Sequence, residues 1–338
     1  MNLGLFARGL DLMPDFGYPP VQFGGWTSPR SRWYQMTAAH NTVVVDGRNQ
    51  AAAAGTTTLW KDGQVLKAIR ASCPAMIGGQ QYERTVASVD VEPDSVYLLD
   101  VFRVVGGRDH AKFMHSHFAT LRTEGLTLQP GPDYGHATQM RDFRYDPDPT
   151  PGWNATWVVL DRYGYLADDA KVRLHYTDLT ADASVATAQA WVIQESYGSS
   201  QETWIPRIMV RRTADQEPLA SCFVGIIEPY SNRSAIQAVT RWIPTVDGRA
   251  MPDGNVALQV DLADGRTDLV VALDTENPLK LSPSLADGPV HVPAWELVTD
   301  AELCLVRKDA KGQVEHVVQY GGTFVAVQGT RFDGDQRP

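Results

Sequence analysis

The segment WYQMTAAHNTVVVDGRNQ, residues 33–50, combines a candidate catalytic side chain with the clearest strand-and-turn pattern in the chain. A polar approach leads to His40, an apolar strand is predicted over residues 42–45, and Asp46-Gly47 forms a turn. The imidazole of His40 therefore stands at the mouth of a buried strand, between the amide of Asn41 and an acid. This makes the segment the first candidate for chemistry.

Similar short strands separated by Gly, Asp and Pro turns continue through the rest of the sequence. They recur about every 8–12 residues, which is typical of a β-sandwich. The sequence therefore predicts an all-β fold, a large antiparallel β-sandwich. Besides residues 42–45, the predicted strands are 56–60, 65–71, 82–91, 95–105, 110–118, 155–161, 171–177, 188–195, 207–212, 220–228, 235–243, 255–262, 268–274, 302–308, 315–320 and 323–328.

Two segments lack a strand pattern. Residues 1–32 are rich in Pro, Gly and aromatic side chains and are predicted to form an irregular lead-in. Residues 130–153 contain five prolines and are predicted to form a long loop, with a sub-boundary near 130–154. The sequence thus predicts one sandwich domain over residues 33–330, and a frayed end after it.

Composition excludes several classes of partner. The chain has 338 residues and a formal net charge of −10, which argues against nonspecific binding to nucleic acid or anionic membranes. No apolar run is long enough to span a membrane. The first residues do not read as a signal peptide, so we expect either a cytoplasmic protein or the downstream part of a longer one. The three cysteines lack metal-site spacing and are expected to be buried thiols.

Histidines and one acid mark two further candidates. His115 and His117 share one predicted strand face, which is compatible with a metal site or a cationic pocket; the alternative is a polar, solvent-facing strand. Asp100 lies inside an apolar run, where a carboxylate must be paired or ligated. We expect an arginine partner that holds two strands together, and a role in a metal or ligand site is the alternative.

Arg207 and Arg211 are four residues apart on one predicted strand face. Paired arginines recognise carboxylates and sulfates, although a charged outer sheet face would have the same pattern. The sequence has no P-loop, no GxSxG, no GxGxxG after a strand and no HExxH. Nucleotide binding, nucleophile-elbow hydrolysis and zincin chemistry are therefore unsupported.

Four stretches resemble the C-terminal β-sheet domain of heparinase II/III-like polysaccharide lyases. They are AHNTVVVDGRNQ (39–50), the run from Tyr97 to His115, PRIMVRR (206–212) and VGIIEPY (224–230). Their order matches, and the resemblance covers roughly residues 15–275. It implies a supersandwich-like sheet domain that, in the family, follows a helical (α/α) toroid and shares an active-site cleft with it.

The resemblance implies β-elimination on uronic-acid polysaccharides. That reaction needs a group that neutralises the uronate carboxylate, a base for the C5 proton and an acid for the leaving oxygen. By position, His40 matches the histidine that the sheet domain supplies, with Asn41, Arg207 and Arg211 as candidate substrate-binding residues. Some members carry a metal, most often zinc and next calcium, which implies His115 and, more weakly, Asp62 as ligands.

The toroid and its catalytic residues have no counterpart in this sequence. We therefore expect a lyase sheet domain that acts on anionic polysaccharide, in the periplasm or outside the cell by resemblance, and that is inactive without a toroid. A non-catalytic carbohydrate-binding or structural sandwich is the main alternative. A cupin-like metal oxygenase or isomerase would rest only on β-richness and the His115/His117 pair.

Overall fold

The computed structural model describes residues 1–167, 169–194 and 199–334. About half of the chain is strand (50%) and 7% is helix, which confirms the predicted all-β class. In these ranges the strands are β1 Leu5–Ala7, β2 Leu10–Met13, β3 Val43–Val45, β4 Thr56–Asp62, β5 Leu66–Ser72, β6 Gln81–Glu92, β7 Ser95–Val105, β8 Asp109–His115, β9 Ala119–Glu124, β10 Gln129–Pro130, β11 Met140–Asp146, β12 Asn154–Val159, β13 Val172–Asp178, β14 Ser184–Ile193, β15 Glu202–Thr213, β16 Ala220–Ser231, β17 Ile236–Trp242, β18 Thr245–Val246, β19 Arg249–Ala250, β20 Val256–Leu262, β21 Thr267–Ala272, β22 Val290–Val292, β23 Leu297–Thr299, β24 Leu303–Lys308, β25 Val314–Tyr320, β26 Val325–Val327 and β27 Thr330–Phe332.

Helical structure in the described residues is short. One α-helix, α1, spans Pro29–Gln35, and single 3₁₀ turns are found at Val21–Phe23, Thr37–Ala39, Pro74–Met76, Leu285–Asp287 and Pro293–Trp295. Helix α1 begins at Pro29 because Ser28 caps it, accepting a hydrogen bond from the Ser31 amide (3.2 Å).

The chain folds into two compact units. The first comprises residues 1–55, 73–82 and 104–233, and the second comprises residues 56–72, 83–103 and 234–338. Residues 130–154, where the sequence suggested a sub-boundary, lie wholly inside the first unit. The single sandwich domain over residues 33–330 stays a prediction.

The first unit contains an antiparallel sheet with the strand order β10-β11-β14-β15-β8-β3. Four further strands pair antiparallel in the order β16-β13-β12-β9. The Trp157 indole on β12 donates a 3.0 Å hydrogen bond to the Pro206 carbonyl on β15, so it joins these four strands to the six-stranded sheet. A core that includes Trp33, Tyr34, Phe113 and Trp191 packs α1 against the first sheet.

The second unit has its own sheets and core. Strands β4, β5 and β6 pair antiparallel, β17-β20-β21-β24-β25 form a five-stranded sheet, and β19-β18-β22-β23-β26-β27 form a six-stranded one. The five- and six-stranded sheets share an apolar core that includes Val271, Trp295 and Val317.

The acid inside a strand is paired, as the sequence predicted. The Arg84 guanidinium donates to both carboxylate oxygens of Asp100 at 2.7 and 2.8 Å, joining β6 to β7. Arg103, three residues further along β7, donates to Glu83 at 3.1 Å. Both pairs are buried in the second unit. A charge that is removed from water is costly unless it is paired and hydrogen-bonded, as these side chains are.

Two sequence predictions differ from the structure, and two others cannot be compared with it. The lead-in 1–32 contains the β1–β2 hairpin and the start of α1, whose seven residues are too few to show a helical period. The predicted loop 130–153 contains β11, where a bulge between Arg141 and Arg144 interrupts the alternation. The predicted strand end at residue 195 and the last residues, 335–338, lie outside the described residues.

Candidate functional site

His40 lies at the end of the 3₁₀ turn Thr37–Ala39, immediately before β3, and its side chain is 22% exposed. Its Nδ1 is 2.9 Å from the Met36 carbonyl oxygen. Because a carbonyl can only accept, Nδ1 carries a proton and donates it. Nε2 faces the Asp15 carboxylate at 3.4 Å. In the neutral imidazole, Nε2 is therefore the ring nitrogen without a proton.

The end of the 33–50 segment holds the His40 turn in place. The Asn49 side-chain oxygen accepts a hydrogen bond from the Thr37 amide (2.8 Å), and the Thr37 hydroxyl accepts one from the Gln50 amide (2.7 Å). The Gln50 side chain also donates to the Tyr82 hydroxyl (2.5 Å), which donates to the Val43 carbonyl (2.6 Å). These bonds fix the backbone on both sides of His40.

Asn41 is fully buried and its amide is engaged within the fold. Its Nδ2 donates to the Leu3 carbonyl (3.2 Å), and its Oδ1 accepts from the His115 amide (2.8 Å). The residue predicted to contact substrate thus connects the His40 turn to β8. This burial gives Asn41 a structural position behind the imidazole.

The two predicted substrate-binding arginines differ in environment. Arg207 is fully buried and pairs with His115 in the β15–β8 register. Its Nη2 donates to the His40 carbonyl (3.3 Å), while Nε and Nη1 have no hydrogen-bond partner among the described residues. Burial lowers the pKa of Arg207 to about 9. Arg211 forms a bidentate pair with Asp109 (2.7 and 2.9 Å). Neither guanidinium is presented at the surface as a free anion site.

A cleft adjoins Asp15, the acid that faces His40. It has a volume of about 210 Å³, and its lining includes Phe16, Tyr34, Phe118 and Tyr163. The Tyr34 hydroxyl accepts a hydrogen bond from the Ile193 amide (2.9 Å), and burial raises the pKa of this phenol to about 12. Tyr34 therefore keeps its proton at neutral pH and is not a base there.

One part of the sequence matches the model of a known protein family. Residues 2–94 match the family model "Heparinase II/III-like, C-terminal", and this match contains the 33–50 segment. The family resemblance inferred from the motifs is thereby confirmed. No curated protein matches the sequence.

Several solved lyases share the fold of this chain. Heparan sulfate lyase HepC from Pedobacter heparinus aligns with a TM-score of 0.54 at 18% identity, over 80% of this chain and 36% of that chain. A mutant of HepC gives 0.55 at 17% identity, with the same coverage. Heparinase III gives 0.50 at 13% identity, over 79% and 34%. The chain thus spans about a third of the length of these structures, and at these identities the likeness concerns the fold alone.

The heparinase II/III-like resemblance implied a divalent metal, and the described side chains do not fit one. In residues 1–167, 169–194 and 199–334 no group of three or more His, Cys, Asp or Glu side chains could hold a metal ion. Asp62 is exposed on β4 in the second unit, whereas His115 is buried in the first, paired in register with a guanidinium. The zinc or calcium site stays a prediction, and no step below depends on it.

The sequence did not identify three of the residues that line the cleft. Asp15 and Phe16 come from the predicted irregular lead-in, and Tyr163 lies in a turn after β12. His117, which lies just beyond the end of β8, was a candidate. The histidine pair was the available signal, since His117 does line the cleft while His115 is buried against Phe16 (4.6 Å between ring centroids).

His115 gives the first unit a pH-dependent stability. Burial, followed by the nearby Arg207 charge, lowers its pKa from 6.5 to about 3. The folded state therefore keeps the ring neutral where the unfolded chain takes up a proton. This contribution is complete above pH 6.5 and is lost as the pH falls toward 3.

We expect the stability difference between the wild type and His115→Gln to shrink by about 2 kcal/mol from pH 7 to pH 5. Urea unfolding at a series of pH values, followed by tryptophan fluorescence, measures it. The exposed His136→Gln variant is the matched control and should track the wild type. A constant difference at all pH values would contradict the burial argument.

Proposed function

We propose that this chain forms the sheet-domain wall of a uronan lyase active site, in which His40 exchanges the proton during β-elimination. The observation that carries the proposal is the anchored imidazole: Nδ1 is held by Met36, and Nε2 is directed at Asp15 on the edge of the aromatic cleft. The family match over residues 2–94 and the fold shared with heparan sulfate lyases support the same reaction class.

The proposed proton transfer uses residues of this chain. Neutral His40 accepts the C5 proton of the uronate at Nε2 and becomes an imidazolium. Asp15 then stabilises that cation, and it is itself held by the Asn2 side chain (3.0 Å) and the Gly17 amide (2.7 Å). Arg207 acts as a positioning residue because it donates to the His40 carbonyl, and Asn41, the next residue along the chain, anchors the turn to the His115 amide.

The remaining requirements of β-elimination point to a second wall. The uronate carboxylate must be neutralised and the leaving oxygen protonated. We propose that the helical toroid of the family supplies these groups, so that this chain without a toroid binds but does not cleave. Action in the periplasm or outside the cell follows from the size of the proposed substrate. No described helix has the length and apolar character needed to cross a membrane.

Cleavage of uronans by the complete gene product tests the proposal. Heparan sulfate, heparin and alginate are supplied separately, and the ultraviolet absorbance of the unsaturated uronide is followed. We expect product with at least one uronan and none with a neutral glucan, which has no carboxylate to acidify the C5 proton. Absence of unsaturated product with all uronans would contradict the lyase proposal.

The second candidate function is a carbohydrate-binding module without catalysis. The aromatic lining of the cleft favours it, because sugar rings stack on aromatic faces whether or not cleavage follows. Uronan binding by this chain, combined with no cleavage by the complete gene product, would select this function over the lyase.

A further inference from the structure

Two pairs of exposed aromatic rings flank the cleft. Tyr18 and Trp26 are 60% and 53% exposed, with ring centroids 5.2 Å apart. Tyr163 and Tyr165 are 39% and 70% exposed, with centroids 5.5 Å apart. Tyr18 and Tyr163 both line the cleft, so each pair continues outward from it. Contiguous exposed apolar surface of this kind marks a binding site more often than chance.

The turn that carries the second pair is built to hold its rings outward. The Asp161 carboxylate accepts hydrogen bonds from the Tyr163 amide (3.2 Å) and the Leu166 amide (2.7 Å). Gly164 between the two tyrosines has a φ of +69°, a conformation that favours glycine. The turn is therefore fixed by its own backbone, and its tyrosines are displayed without being needed for the core.

A cation accompanies these rings. The Arg162 guanidinium lies 4.5 Å from the centre of the Phe118 ring, and Phe118 is part of the cleft lining. The Tyr163 ring contacts the same phenylalanine and His117, with centroid distances of 6.3 and 5.7 Å. An exposed guanidinium beside aromatic rings suits a ligand whose sugar rings stack on the aromatic faces and whose carboxylates pair with the guanidinium.

We infer that Arg162, Tyr163 and Tyr165 form a glycan subsite that binds uronate-containing sugar residues beyond the residue at His40. Tyr163 and Tyr165 stack on successive sugar rings, and Arg162 pairs with a uronate carboxylate. Tyr18, which lines the same cleft, and its neighbour Trp26 give the glycan a second aromatic contact. This inference rests on the proposed uronan ligand and specifies how the chain is held across the cleft.

Calorimetric titration of the 338-residue chain with heparan sulfate and alginate hexasaccharides tests the subsite. Tyr163→Ala and Tyr165→Ala should each weaken binding by up to about tenfold, while Tyr163→Phe, which keeps the ring, should stay within about twofold. Arg162→Gln should weaken binding by about fivefold at low salt, and less at high salt. Trp60→Ala, at a 69% exposed tryptophan of the second unit, is the matched control.

Binding by Tyr163→Ala and Tyr165→Ala that equals binding by Trp60→Ala would overturn the subsite. Tyr165 is so exposed that its replacement does not threaten folding. Cleavage by the complete gene product reports separately on the lyase. If the tyrosine variants cleave normally, with unchanged KM and product length, the subsite proposal is contradicted and the lyase proposal stands. If the tyrosine variants bind more weakly and the complete gene product does not cleave uronans, the subsite proposal is supported and the lyase proposal is contradicted.

Discussion

Replacing His40 by glutamine in the complete gene product should lower the kcat of uronan cleavage by about 10²–10⁴-fold, the usual contribution of a general base. Glutamine can still donate a hydrogen bond to the Met36 carbonyl, so the turn before β3 should persist. It cannot exchange a proton at the position of Nε2. The rate loss should therefore appear in kcat, with little change in KM. Initial rates from the uronide absorbance give both constants.

Two companion variants make the His40 result specific. His136→Gln changes an exposed histidine of the same unit and should cleave as the wild type does. Asp15→Asn keeps the shape but removes the carboxylate 3.4 Å from Nε2, so it should lower kcat by a smaller factor than His40→Gln. A His40→Gln enzyme with unaltered kcat would show that the proton goes elsewhere.

Removing the carboxylate of Asp100 should cost the second unit about 3–5 kcal/mol of unfolding free energy, because it breaks the buried ion pair with the Arg84 guanidinium. The two side chains are 0% and 5% exposed, so solvent does little to screen their interaction. Urea unfolding of Asp100→Ala, monitored by circular dichroism, measures the loss.

A double variant separates pairing from packing at this position. Asp100→Leu with Arg84→Met removes both charges and fills a similar volume, so it should recover most of the stability lost in Asp100→Ala. The exposed pair Arg141–Asp142 is the matched control, and its loss in Arg141→Ala should cost less than about 1 kcal/mol. If the double variant were as unstable as Asp100→Ala, the uncompensated charge would not explain the loss.

The strands were predictable for two reasons: some, such as β13, bury one face and alternate in sequence, whereas others, such as β7 and β16, are buried on both faces and form continuous apolar runs between turn residues. β7 matches its predicted range, and β16, β20 and β24 begin or end within a few residues of theirs. The predicted partner class of Asp100 was also correct, since a buried carboxylate requires a cation. That the cation is Arg84 depends on strand register, which the sequence alone did not give.

The candidate site was predictable only at its centre. The motif placed His40 before a strand, and the structure keeps it there. The other residues of the site are far from His40 in sequence. Helix α1 lies between Asp15 and His40, and strands β3 to β12 lie between His40 and Tyr163. Nothing in local spacing brings these residues together, because tertiary packing decides it. The same packing buries Asn41 and Arg207, whose types alone suggested contact with substrate.

The interleaving of the two units limits how this protein can be divided or recombined. The chain passes between them after residues 55, 72, 82, 103 and 233. A fragment cut at the end of the family match, residue 94, would hold incomplete portions of both. Even residues 1–233 would combine the whole first unit with two orphaned stretches of the second. Chimeras with related lyases should therefore exchange the sheet domain as one block, since a crossover inside it would leave strands of one parent without the partners they evolved with.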